Sequence, residues 1–260
     1  MKYIMECSNE NDRLEFQEKI DAYKIENDLV SFKINENDLV LDAGCGAGTI
    51  SRFLSAKFPH TYFHGCDLSL ERINHAKELT KSDKIHYFQS ALTQIETSND
   101  KYDKIICRFV YEYLPDPNAV TQELYRVLKP GGHICLIDLD GMLFNLSHSN
   151  RELKEYLHRI DHAFKTKYNV DLYVGRKLKS FLVSAGLKKI NESARTMIFH
   201  GDEIEKEAQN FRIRFENAAP MYNDILGTKD ADNFKRLYIE ELLKPSNTIF
   251  YNNFSVVGEK

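Results

Sequence analysis

Three glycines at alternate positions, Gly44, Gly46 and Gly48, follow an acid, Asp42, and a second acid, Asp67, stands further along the chain. Glycine reaches positive φ without a Cβ clash, so a turn built this way lets a ligand lie against the backbone. A helix starting at the far side of the turn offers unpaired N–H groups to a polar ligand. An acid at the end of the next strand can bond the two hydroxyls of a ribose, because ligands of such folds sit outside the carboxyl ends of the strands. The spacing narrows the ligand. A dinucleotide turn has G-x-G-x-x-G, but Thr49 occupies the third glycine position here, and the Gly-Lys-Ser/Thr of a phosphate loop is absent. Asp42 beside the turn opposes a pyrophosphate but tolerates positive charge, such as a sulfonium or an amino group. Together the residues favour a nucleoside without phosphates; the glycines alone also fit a plain structural turn.

The elements that must position these residues can be read from the apolar pattern. Leu39 to Leu41 is a short strand, and Ile50, Phe53, Leu54 and Phe58 recur at helical spacing after the turn. Further strands are expected at Thr61–Asp67, Lys84–Gln89, Asp103–Cys107 and His133–Asp138. Ser69 is suited to cap a helix with Leu70, Ile73 and Ala76 on one face. Asp116-Pro117 opens a helix with Val120, Leu124, Val127 and Leu128 inward, and Lys129-Pro130-Gly131-Gly132 stops it. Near-continuous apolar strands alternating with helices imply a parallel sheet covered on both faces.

Leu14, Ile20, Tyr23, Leu29 and Phe32 among many charges suggest one or two amphipathic helices before the first strand. After the fifth strand the pattern is mostly helical, around Leu153–Phe164 and Leu178–Ala185. Leu187–Phe199 reads as a sixth strand with an irregularity. Apolar stripes follow at Ile204, Ala208, Phe211 and Phe215 and at Phe234, Leu237, Tyr238 and Leu242. They read as packing, and Thr248–Gly258 is a last strand.

A net charge of −4 gives no electrostatic case for nucleic acid as a partner. No apolar run approaches the ~20 residues of a membrane span, and Met1–Glu6 lacks a signal-peptide core, so a cytoplasmic location is expected. Cys7, Cys45, Cys66, Cys107 and Cys135 form no C-x-x-C pair and no zinc spacing; they read as small buried hydrophobes, with no metal site.

Taken together, Val40-Leu41-Asp42-Ala43-Gly44-Cys45-Gly46-Ala47-Gly48, the acid Asp67 and Leu128-Lys129-Pro130-Gly131-Gly132 resemble the class I S-adenosylmethionine-dependent methyltransferases. Cys107-Arg108-Phe109-Val110-Tyr111-Glu112-Tyr113-Leu114 is similar to the segment after strand four in small-molecule members of the ubiquinone/menaquinone-biosynthesis-like branch. Arg13-Leu14-x-x-Gln17 is similar to the N-terminal helix of some members. The resemblance runs from Val40 to Asp138. It implies an α/β fold: a Rossmann-like, seven-stranded, mostly parallel sheet with helices on both faces, an antiparallel last strand and extra helices capping the active site. The expected organisation is a single domain over 1–260. It comprises an N-terminal helical lid (1–36), a cofactor-binding core (37–140) and helical substrate-capping insertions at 141–174 and 202–244.

Carried over by this resemblance, Gly44, Gly46 and Gly48 approach the methionine portion of S-adenosyl-L-methionine, and Asp42 lies near its amino group. Asp67 takes the ribose hydroxyls, with Leu68 against the adenine. Ala91 stands where the family often has an Asp that accepts from the adenine amino group. That leaves adenine to the Leu92 backbone N–H, with Ser90 or Gln89 as side-chain substitutes. Arg108 either forms a structural salt bridge or holds the cofactor carboxylate or an anionic substrate, since its fork fits a carboxylate. Arg13 either does the same or is an ordinary helix charge.

Methyl transfer from a sulfonium is an in-line displacement, and alignment at ~3–3.5 Å in a site screened from water is much of the task. A base is needed only where the acceptor must lose a proton. Tyr111, Tyr113, Asp138 and Asp140 are the candidates, with Tyr111 and Asp140 foremost; Asp138–Gly141 also fits a plain polar strand end. His133 and His148 read as surface residues. No Asn-Pro-Pro-Tyr or Asp-Pro-Pro-Tyr and no Pro-Cys nucleophile is present, which disfavours nucleobase methylation. The expected acceptor is a small organic molecule under the aromatic-rich helices, with S-adenosyl-L-homocysteine as product and a monomer or homodimer as the assembly. A protein or peptide methyltransferase, a non-catalytic binding module and, least of all, an NAD-dependent oxidoreductase remain as other classes.

Overall fold

Strands apolar on both faces fold only where both faces can be covered. In this chain the alternation within the central strands divides the side chains between two cores. The computed structural model describes residues 9–29, 31–147 and 150–260. Seven strands, β1 (Leu39–Ala43), β2 (Tyr62–Asp67), β3 (Ile85–Gln89), β4 (Tyr102–Arg108), β5 (Leu128–Asp140), β6 (Lys188–Ile198) and β7 (Phe250–Glu259), form one sheet in the order β3-β2-β1-β4-β5-β7-β6. The pairs β1–β2, β1–β4, β2–β3 and β4–β5 are parallel, and the last strands are antiparallel. The order reverses direction between β1 and β4, the crevice in which doubly wound folds bind ligands. Leu41, Ala43, Ile105, Cys107, Ile134 and Leu136 face one core, and Val40, Ile106, Cys135 and Ile137 face the other.

Local signals account for the helices of this sheet. The helix α2 (Thr49–Lys57) starts at Gly48, and α3 (Leu70–Leu79) is capped by Ser69, whose hydroxyl accepts from Arg72 N at 3.4 Å. The helix α4 (Pro117–Val127) is capped by Asp116, which accepts from Ala119 N at 2.9 Å. The Pro-Gly-Gly stop ends α4 as expected, but it does not delay the next strand to His133. β5 begins at Leu128, and its register against β4 slips between Tyr102 and Lys104. Gly131, at φ +76°, absorbs the extra residues.

The chain divides into two compact units. One holds residues 25–140, 173–195 and 253–260; the other holds residues up to Lys24, 141–172 and 196–252. The first contains the glycine turn and α6 (Leu178–Ser184). The irregularity expected in the sixth strand is present at Lys189, which has φ +47°. The second unit is helical: α1 (Glu10–Gln17), α5 (Arg151–Ala163), α7 (Asp202–Asn217), α8 (Ala219–Leu226) and α9 (Thr228–Leu243). Its centre is aromatic, with ring centroids of Phe211 and Tyr238 4.9 Å apart and those of Phe215 and Phe234 5.3 Å apart.

The amphipathic helices expected before the first strand are mostly replaced by short 3-10 turns at Asp21–Tyr23 and Ile25–Asn27. On α1 the buried face is polar: Glu10, Asn11, Arg13 and Gln17. Buried charges persist only when paired. Arg13 meets that condition through Glu10 (2.9 and 2.7 Å), Gln17 (2.5 Å) and Asn210 (3.1 Å).

Among the described residues no helix is long and apolar enough to cross a membrane, and no group of three or more His, Cys, Asp or Glu could hold a metal ion. Cys45, Cys66, Cys107 and Cys135 are buried free thiols. Cys7 and His148 lie outside the described residues.

Candidate active site

The turn between β1 and α2 is pinned over the end of β2, because the N–H groups of Gly44 and Cys45 both donate to Cys66 O at 2.8 and 2.9 Å. Gly44, Gly46 and Gly48 have φ of +77°, +52° and +77°, the left-handed region that side chains avoid. Space is short as well. A Cβ on Gly44 would lie 2.6 Å from Val110 Cγ2, and one on Gly48 would lie 2.7 Å from Tyr87 Cζ. The Tyr87 hydroxyl donates to Gly48 O at 3.2 Å and supports the turn from the β3 side.

Both acids stand at this turn. Asp67 accepts from Gly46 N through Oδ2 at 3.0 Å and from Ser69 N through Oδ1 at 2.9 Å. Asp42 is buried and accepts from the Ser51 hydroxyl at 2.6 Å. Burial raises its pKa to about 6; hydrogen bonding to Ser51 opposes the rise, and the like charge of Asp67 adds to it. Leu68 is 53% exposed, a large apolar side chain left uncovered beside Asp67. Ser90 N donates to Asp67 O and Gln89 Nε2 to Leu68 O, each at 2.9 Å, so the segment Gln89–Leu92 is tied to the Asp67–Leu68 corner.

These features fit S-adenosylmethionine: a turn whose glycines leave the backbone free of side chains, two carboxylates for a cationic ligand, and an exposed apolar side chain beside the candidate ribose acid. The two side-chain substitutes for the Asp missing at Ala91 are engaged within the chain. Gln89 is bonded to Leu68, and the Ser90 hydroxyl donates to Ala91 O and Gln94 O at 3.4 and 3.3 Å.

At the ends of β4 and β5 the structure decides between the alternatives left open for several side chains. Arg108 takes the salt-bridge alternative: its Nε donates to Asp28 at 3.0 Å, and both side chains are buried. The same carboxylate accepts from Arg195 (3.0 and 2.7 Å) and from Asn253 (2.8 Å). Tyr111, a foremost candidate for the base, is corrected by its surroundings. Its ring is buried, its hydroxyl is 2.8 Å from Thr121 Oγ1 on α4, and burial holds its pKa well above the usual tyrosine range. Asp140 is buried and bridged by Arg176 at 2.7 and 2.5 Å, which fits the plain strand-end alternative. Asp138 is also buried; it accepts from Leu139 N at 2.8 Å and Glu112 N at 3.3 Å. Arg13 belongs to the helical unit and is held in the polar network on α1.

Other residues of the site region carry no local signal in the sequence. Val110 packs on Gly44, and Phe109 adopts φ +58°, which is uncommon for a bulky residue. Ser51 was findable, since it lies in the first turn of α2 beside the acid. Asp28, Arg195 and Asn253 were not, because they meet only through the fold.

This is the architecture of the doubly wound nucleotide-binding proteins, with the turn and both acids at the carboxyl ends of β1 and β2. Residues 40–132 match the profile of the family described as "Methyltransferase domain". Over this stretch the chain is similar to the class I S-adenosylmethionine-dependent methyltransferases. It is 28% identical over 189 residues to an uncharacterized methyltransferase of Schizosaccharomyces pombe, covering 66% of each chain. It is 31% identical over 124 residues to the ubiquinone biosynthesis O-methyltransferase of Aliivibrio fischeri, covering 46% of this chain and 48% of that one. The chain thus spans about half to two thirds of the length of the curated relatives it matches. Among solved structures it is similar to phosphoethanolamine N-methyltransferase 2 of Haemonchus contortus. That match has a TM-score of 0.58 and 17% identity and covers 96% of this chain and 52% of that one, a likeness of fold.

Proposed function

We propose that the chain transfers the methyl group of S-adenosyl-L-methionine to a small organic acceptor by in-line displacement, releasing S-adenosyl-L-homocysteine. The observation that carries this reading is the meeting of two carboxylates, Asp42 and Asp67, with a left-handed glycine turn at the β1–β2 corner. When bound, the donor supplies an electrophilic methyl group on a sulfonium. The glycines let its methionine portion approach the backbone, Asp42 faces the amino group, and Asp67 takes the ribose hydroxyls. Leu68 lies against the base, with the Ala91–Leu92 backbone completing that pocket. The negative charge of both acids favours a cationic donor over the neutral-sulfur product. The task left to the remaining residues is alignment and exclusion of water.

A small acceptor is supported by the similarity to the ubiquinone biosynthesis O-methyltransferase and by the absence of the nucleobase-methylation motifs. Incubation with S-adenosylmethionine carrying a labelled methyl group and fractionated metabolites tests the reading. Label is expected in a small-molecule fraction. Label found only on protein would assign the acceptor to proteins. Calorimetry with S-adenosylhomocysteine and NAD tests the donor: heat with NAD alone would overturn it.

A further inference from the structure

The turn after β4 is held from several sides by contacts that the cofactor reading does not use. Phe109 N donates to Ile137 O at 2.9 Å while its φ is +58°, so the chain reverses sharply as it leaves β4. That reversal sets Val110 against Gly44, where a Cβ would come within 2.6 Å of Val110 Cγ2. A 3-10 turn follows at Tyr111–Tyr113, closed by Tyr113 N to Val110 O at 3.0 Å and Leu114 N to Tyr111 O at 3.2 Å. Asp138, wholly buried at the end of β5, takes the N–H of Glu112 in this turn on one oxygen and the N–H of Leu139 on the other. A buried carboxylate is a costly way to hold a turn. Beside it lies the Glu112 carboxylate, and burial together with that like charge keeps the Asp138 pKa well above the carboxylate range. Its position, joining the end of β5 to this turn, gives it a use.

We propose that Asp138 is a positioning residue that, through the Tyr111–Tyr113 turn, presses Val110 onto Gly44, so that the end of β5 and the cofactor turn are set together. The proposal rests on the cofactor assignment above and extends it to a residue that touches no cofactor. It makes Val110 the contact through which the setting passes: a change at the β5 end reaches Gly44 only while the Val110 methyl groups are in place.

The test is a double-mutant cycle read as the dissociation constant of S-adenosylhomocysteine by calorimetry. Asp138→Asn and Val110→Ala are each expected to weaken binding about ten-fold, and the double variant about ten-fold as well, because the second change acts through a contact already lost. Val110→Ile keeps a branched Cβ against Gly44 and is expected to stay within about two-fold of the wild type. Effects that multiply to about a hundred-fold would overturn the proposal, as would unchanged binding in Asp138→Asn. A wild-type protein that binds no S-adenosylhomocysteine would instead remove the cofactor assignment itself. Should Asp138→Asn lack a cooperative melt, hydrogen exchange in Val110→Ala decides. In the wild type, S-adenosylhomocysteine is expected to slow exchange at residues 111–114. Loss of that protection in Val110→Ala supports the proposal, and its retention overturns it.

Discussion

The carboxylate of Asp67, at the end of β2, accepts a hydrogen bond from the backbone N–H of Gly46 at 3.0 Å. One acid therefore orders the glycine turn and is also the residue proposed to take the ribose hydroxyls. Asp67→Ala removes a charge-assisted bond to the turn together with the proposed hydroxyl contacts, at a cost of about 1–3 kcal/mol in binding. Calorimetry is expected to show S-adenosylhomocysteine affinity reduced by a factor of about 5–150. An affinity equal to that of the wild type would take Asp67 out of the site.

The glycines of the turn and of the β5 bulge separate two effects. Gly44 and Gly131 have φ of +77° and +76°, but a Cβ on Gly131 meets nothing within 4 Å, whereas one on Gly44 meets Val110 at 2.6 Å. Gly131→Ala is expected to lose about 1 kcal/mol from left-handed strain alone. Gly44→Ala carries the same strain plus an overlap, for a total of about 2–4 kcal/mol. Urea denaturation of the two variants measures the difference; equal losses would mean that Val110 yields freely.

The elements around the site were legible because their determinants are local. A glycine turn, an apolar run ending in an acid, and the caps at Ser69 and Asp116 act within a few residues. What failed depended on distance or on polarity. Periodicity assumes that buried faces are apolar, and α1 buries Glu10, Arg13 and Gln17 against their own partners. Asp28 meets Arg195 across 167 positions of sequence, and no spacing rule reaches that far. Tyr111 has the residue type of a base, but the direction of its ring is set by packing against Phe181 and by Thr121, which the sequence pattern did not encode.

Asp28 is a structural linchpin of the sheet unit. Its carboxylate is addressed by Arg108, Arg195 and Asn253 and is buried. Removing one member of a buried ion pair is strongly destabilising, because the remaining charge keeps its desolvation penalty. Asp28→Asn is expected to cost about 3–5 kcal/mol by chemical denaturation. Arg195→Ala, on the more exposed side of the cluster, is expected to cost less. The reverse ranking would show that Arg195 and not Asp28 anchors the cluster.

Asp42 gives the turn a pH dependence whose sign can be worked out. Its pKa is raised from 3.8 to about 6, chiefly by burial. A carboxyl group whose folded pKa exceeds the unfolded one binds its proton more tightly in the folded state. Its penalty is absent below the unfolded value and grows as pH rises between the two. It is complete above the folded pKa. A shift of this size amounts to about 3 kcal/mol at most. Asp42→Asn has no charge to bury, so its stability relative to the wild type is expected to rise by up to about 3 kcal/mol between about pH 4 and pH 7 in urea denaturation. Binding runs the other way. The charged form attracts a cationic donor, so wild-type affinity for S-adenosylmethionine is expected to rise over the same pH range, and this rise is expected to be lost in Asp42→Asn. A wild type and variant that track one another across the range in both measurements would show that Asp42 does not titrate there.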